Sequence, residues 1–361
     1  MTNEEMAPQE QEQPKIGTVG GEALMEGIMM RGPKGRAAIA LRLPNGRIET
    51  KLKQVKLPAE RCKVLGWPLI RGPVNLVSSM AFGYKCLMES AEKVTEGLME
   101  EAAEEGEELG RIDQWLERHP KVMKGFTVIG SVLGVILAIA LFSTLPSLTH
   151  DGIAWLVAHF GGEVDISAWR AVIEGVVRIT LFVLCMFLMS QLKDIRRVFQ
   201  YHGAEHKAIY CYESGLELTV ENVKAQSRLH PRCGTSFLFV VLMLSIAVSV
   251  LLSLAIPELW AHSNLIIRTG VRLMVLPLLM ALGYEFIRFA GKHLKNPLVR
   301  ALSFPGVSMQ RITTKEPDEK IIEVGIVALK AALGMPYEEE EEPDDDDTPG
   351  DAACPEEPVA E

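Results

Sequence analysis

The chain has 361 residues, 48% of them hydrophobic and only 6% aromatic. Its net charge of −10 is local: residues 338–361 hold 13 acidic side chains and no Lys or Arg, which leaves the rest at +3. Such a balance indicates no nucleic-acid partner, and six cysteines without a C-x-x-C exclude a disulfide framework or a four-cysteine zinc site.

Residues 1–15 are rich in Glu, Gln and Pro, and 337–361 in acids and Pro. Neither can bury enough apolar surface to fold, so both are expected to be disordered. No signal peptide is read, because the first apolar stretch of spanning length begins more than 100 residues in. The fold class expected is predominantly α: a four-helix polytopic membrane protein with a small cytoplasmic α+β part containing a β-hairpin.

Residues 16–120 form the expected cytoplasmic N-terminal part. It opens on Gly20-Gly21-Glu22-Ala23-Leu24-Met25-Glu26-Gly27-Ile28-Met29-Met30-Arg31-Gly32-Pro33. Glycine at this density, beside two acids and an arginine, suggests tight backbone geometry near a site, although no phosphate-loop pattern is present. Asn45-Gly46 between two β-prone runs predicts a β-hairpin over 37–53. The apolar stretch 66–88, interrupted by Arg71 and Pro73, reads as an interfacial or re-entrant helix, and 90–117 as a solvated acidic helix.

Crossing a bilayer takes about 20 mostly apolar residues. Residues 125–149 and 234–257 carry no charge, and two less pure candidates lie at 169–192 and 265–287. They predict a first transmembrane hairpin over 121–195 and a second over 234–290. Between the first two spans, residues 150–168 have no Lys or Arg, whereas 191–232 has seven, and Arg288, Lys292, Lys295 and Arg300 follow the last span. The bias places both termini in the cytoplasm of a multi-pass protein of the cell (inner) membrane. Glu174 and Arg178 in the second span lie at a depth similar to Arg268 and Arg272 in the fourth. A structural ion pair from Glu174 to Arg268 or Arg272 is expected, such that reversing both charges together restores what either reversal loses.

The chemistry concentrates in 196–233, the expected cytoplasmic loop. Tyr201-His202-Gly203-Ala204-Glu205-His206-Lys207 contains H-x-x-E-H, the inverted zinc-hydrolase spacing. On a helix, His202 and His206 share one face, with Glu205 beside them as the catalytic general base. Catalytic zinc usually takes three protein ligands and a water. Cys233 or His230, from His230-Pro231-Arg232-Cys233-Gly234-Thr235-Ser236, would supply the third, with Glu213 and Glu285 as further oxygen ligands. The remaining C-terminal part, 291–336, includes a helix at 318–333 with Asp318 as N-cap and Gly334 as stop.

The glycine-rich run 20–33, the run 201–207, Leu218-Thr219-Val220-Glu221-Asn222-Val223 and the run 230–236 together resemble the YqhQ-like family. Those are bacterial multi-pass membrane proteins of unknown function, often labelled metal-dependent enzymes. The resemblance covers roughly residues 16–336, and departs from the family at Glu22, where Gln is usual. It implies membrane location and a metal site, and names no substrate or oligomeric state. The expectation is therefore a metal-dependent membrane hydrolase, with zinc as the divalent metal, acting at the cytoplasmic face on a membrane-proximal substrate. The alternative is a non-catalytic scaffold or assembly factor with a structural metal; a transporter component is disfavoured by the lack of a repeat between the helical hairpins.

Overall fold

The computed structural model describes residues 17–56, 58–104, 120–160, 165–257, 264–293 and 295–337. Residues 1–15 and 338–361 of the expected disordered termini, and 105–117 of the expected acidic helix, lie outside these. The described chain is helical apart from one small sheet, and four helices are long and apolar enough to cross a membrane. It is a multi-pass membrane protein of the predicted class.

The sheet has four antiparallel strands in sequence order: β1 (Gly20–Leu24), β2 (Gly27–Arg31), β3 (Arg36–Arg42) and β4 (Ile48–Gln54). β3 and β4 make the hairpin around Asn45-Gly46, with Gly46 at φ +89°. The glycine-rich run is the first hairpin of the same sheet, which the glycines hid, because they are depleted in strands. Its tight turn sets Glu26 at φ +50°, held by Arg197 (Nη2 to Oε2 2.6 Å) and the Tyr201 hydroxyl (3.1 Å).

Strand alternation explains why β2 is buried on both faces. Ile28 and Met30 pack with Tyr201, Ile322 and Leu329, whereas Met29 joins Leu24, Ile39, Leu41 and Cys86. The sheet is thus a middle layer. One face meets α5 (Lys193–Glu213) and α10 (Glu319–Leu333), and the other meets α2 (Arg71–Glu104).

After the single turn α1 (Pro58–Arg61), α2 runs unbroken for 34 residues, about 50 Å. It replaces the two separate helices expected at 66–88 and 90–117. Arg71 and Pro73 lie in its first turn, where an amide has no helical partner and proline costs nothing. That end packs on α8 (Leu265–Lys292), and Arg71 forks onto Glu285 with two bonds of 2.7 Å.

The candidate spans lie in α3 (Pro120–Phe160), α4 (Arg170–Met189), α7 (Gly234–Ala255) and α8. Glu174, fully buried, accepts from Ser147 (3.0 Å), Arg178 (3.0 Å) and Arg272, and Arg170 lies 3.5 Å away. Arg268 is buried beside them. Segment 196–233, the connection between the second and third spans, is built on α5, which holds the H-x-x-E-H run on a helix, and on the short α6 (Val220–Lys224). The helix α9 (Pro297–Thr313) was not foreseen. Pro305 disguises it, although Asn296 caps it by accepting from the Leu298 amide at 2.9 Å. α10 starts on Asp318, which accepts from Ile321 N (2.9 Å), and closes on the left-handed Gly334.

Candidate metal centre

The H-x-x-E-H run lies mid-helix in α5, so the four-residue spacing stacks His202 and His206 with ring centres 4.4 Å apart. Gly203 between them is required by close packing. A Cβ there would lie 2.1 Å from the Lys315 carbonyl, on the segment whose amide bonds Phe199 O (2.8 Å).

Each imidazole is tied by Nδ1 to a backbone carbonyl: His202 to Thr313 (2.8 Å) and His206 to Arg228 (2.6 Å). A carbonyl can only accept, so each Nδ1 carries a proton and donates it. In the neutral ring, Nε2 is then left as a lone-pair donor. Cys233 meets these nitrogens from the N-cap of α7, its Sγ 3.1 Å from His202 Nε2. The three ligand atoms lie within 4.8 Å of one another. Tetrahedral zinc would hold such donors about 3.3–3.8 Å apart, judging from its bond lengths.

The charges respond to this crowding. Burial opposes protonation of His202, but the facing Cys233 thiolate and Glu205 outweigh it and raise the pKa to about 9. Burial would raise the Cys233 thiol, and His202 and His206 instead hold it well below its usual range. Glu205, 6% exposed, accepts from the Gly21 amide, and burial raises its pKa despite both histidines. Beside it, Glu22 is also raised, first by burial and then by Glu205 itself. α2 passes so close to the Glu22 carboxyl that a Cβ on Gly83 would lie 1.9 Å from its oxygen.

The other expected ligands are placed differently. His230 packs its ring 5.5 Å from His206, but its Nε2 faces Glu213 at 3.8 Å and not the donor triad. Glu213 also takes Arg232 and the Gly17 amide (2.8 Å), and despite burial these partners lower its pKa to about 2. Glu285 is engaged by Arg71. Gln310 escaped sequence reasoning. Fully buried on α9, it bonds His230 N and O (both 2.7 Å) and Ser236 Oγ (2.8 Å), which fixes the turn leading to Cys233. A lone Gln carries no motif, and the two carbonyls on the histidines carry no side-chain signature at all.

A family model described as "Protein of unknown function (DUF1385)" matches residues 67–335. The uncharacterized protein YqhQ of Bacillus subtilis (strain 168) is 32% identical over 325 residues, covering 87% of this chain and 92% of that protein. No solved structure matches.

Proposed function

The chain belongs to the DUF1385 family, whose function is not known, and from its own geometry we propose a metal-dependent membrane hydrolase working at the cytoplasmic face. One observation carries this reading: two imidazoles, each with Nδ1 given to a carbonyl, gather at one cysteine sulfur, His202 Nε2 at 3.1 Å from it and one ligand atom of each of the three within 4.8 Å of the others. Carbonyl-anchored imidazoles are the usual support of metal ligands, since the anchor fixes tautomer and orientation. His202, His206 and Cys233 would hold the ion, and two nitrogens with one thiolate suit zinc. When bound, such an ion would supply Lewis acidity and acidify a water at neutral pH.

Glu205 is the base in this scheme. Burial makes its carboxylate more basic than a surface glutamate, which suits a proton acceptor. The Gly21 amide holds one of its oxygens, and the Cys233 thiolate adds to the upward shift that burial sets. His230, Glu213 and Gln310 position the Cys233 turn and touch no reacting atom. The Lys/Arg bias supports a cytoplasmic site with both termini on that side.

Elemental analysis of the detergent-purified full chain, prepared without chelator, tests the site. About one zinc per chain is expected, lost in His202→Ala/His206→Ala; a wild type without stoichiometric metal overturns the reading. Glu205→Gln should keep the metal and lose turnover on any substrate found. A structural role for the ion has support of its own, because the centre ties α5 and α7 to the carbonyls of Arg228 and Thr313. That role predicts a harmless Glu205→Gln and a large loss of folded protein in His206→Ala.

A further inference from the structure

A cavity of about 480 Å³ adjoins the metal centre, with Cys233 in its wall. Its walls come from the first turns of α2, the start of α7, the end of α8, the end of β2 and residues 55, 56 and 58. Two chemistries line it. Leu76, Phe237 and Ile287 form an apolar side, the last two from membrane-spanning helices. Lys56, Arg31, Arg232 and Arg288 supply cations, and no Asp or Glu is among the described lining residues.

Arg232 already bonds Glu213, and Arg31 bonds Ser79 (3.1 Å) while stacking over Phe82. Lys56 and Arg288 are both exposed and add positive charge to the lining, Arg288 with Glu285 close by outside it. Fixed positive charge at the inner end of transmembrane helices, above an apolar wall, matches an anionic head group with its chains along the helices. A soluble anion would leave the apolar wall uncovered. A peptide would meet helix side chains here and not a strand edge that could pair with its backbone.

We propose that this cavity binds an anionic phospholipid, its phosphate toward Lys56, Arg288 and Arg31 and its chains against Leu76, Phe237 and Ile287. The lipid is the substrate class of the centre, a statement that rests on the metal-enzyme reading; the binding itself does not. Cys233 belongs to both the donor triad and the cavity wall, so a bound head group lies beside the residues assigned to catalysis.

Native mass spectrometry of the full chain in detergent tests this, titrating phosphatidylglycerol, phosphatidylcholine, inorganic phosphate and an acidic peptide in separate arms. One phosphatidylglycerol should bind at least about tenfold more tightly than phosphatidylcholine. Lys56→Gln and Arg288→Gln should each weaken it about fivefold, the effect of one cation near a charged membrane surface. Ser78→Trp, which fills the cavity, should abolish it. Equal affinity for both lipids, preference for free phosphate or the peptide, or binding indifferent to all three variants overturns the proposal. Metal content measured on the same samples separates the two readings. Lipid bound without metal sinks the enzyme assignment alone, and metal retained without lipid sinks this one alone.

Discussion

Glycine at 203 shows how little room surrounds the donor triad. Adding a Cβ there drives it into the Lys315 carbonyl, and backbone cannot yield as a flexible side chain would. Gly203→Ala should cost about 1–3 kcal/mol, typical of overpacking, and lower the melting temperature together with the metal content. Glu213 sets a pH limit on the neighbouring turn. Its folded pKa, about 2, lies below its ordinary 4.5, so its stabilisation is fully present above 4.5 and lost as pH falls toward 2. Melting curves of the full chain from pH 6 to 2.5 should show that loss in wild type, and a flatter profile in Glu213→Gln. An unchanged slope in the variant would mean that this carboxylate does not govern the acid response.

At the scale of elements, the site depends on α9, a helix that contributes no donor side chain to it. Gln310 satisfies three buried groups at once, and Gln310→Leu would strand His230 N, His230 O and Ser236 Oγ. Each unsatisfied buried group costs about 1–3 kcal/mol. The variant should therefore lose folded yield and release metal more readily to a chelator, whereas a conservative surface change on α9, such as Arg311→Lys, should do neither. Among the spans, Glu174 faces Arg170, Arg178 and Arg272 together. Reversing Glu174 with Arg272 would put a new cation against the two remaining arginines, so the rescue expected from a simple pair does not follow. Glu174→Gln is the cleaner change. It leaves buried guanidinium groups without their counter-charge, a loss typically of about 3–5 kcal/mol, read as reduced protein in the membrane.

For the whole molecule, the sheet layer, the donor triad and the cavity gather at one end of the spanning helices, while Asp165 and Ser167 lie at the other, in the α3–α4 connection. The orientation proposed here makes a direct prediction. In intact cells a membrane-impermeant maleimide should label Ser167→Cys, and should label Arg300→Cys only after lysis. The reverse pattern would invert the protein and move the centre to the outer face.

Four spans and the two-histidine face were legible from residues alone, because hydropathy sums over consecutive positions and helical spacing is local. The cap signals Asp318 and Gly334 and the Asn45-Gly46 turn are local in the same way. The glycine-rich run betrayed tight packing but not strands, since its regularity comes from being covered on both faces by α2 and by α5 with α10. Only the tertiary structure groups Cys233 with the two histidines, turns His230 Nε2 to Glu213, and brings up the carbonyls of Thr313 and Arg228. It alone made a cavity of residues as far apart as Arg31 and Arg288. Such choices rest on contacts between segments distant along the chain. Those contacts are set by how helices and sheet pack together, which no window of sequence contains.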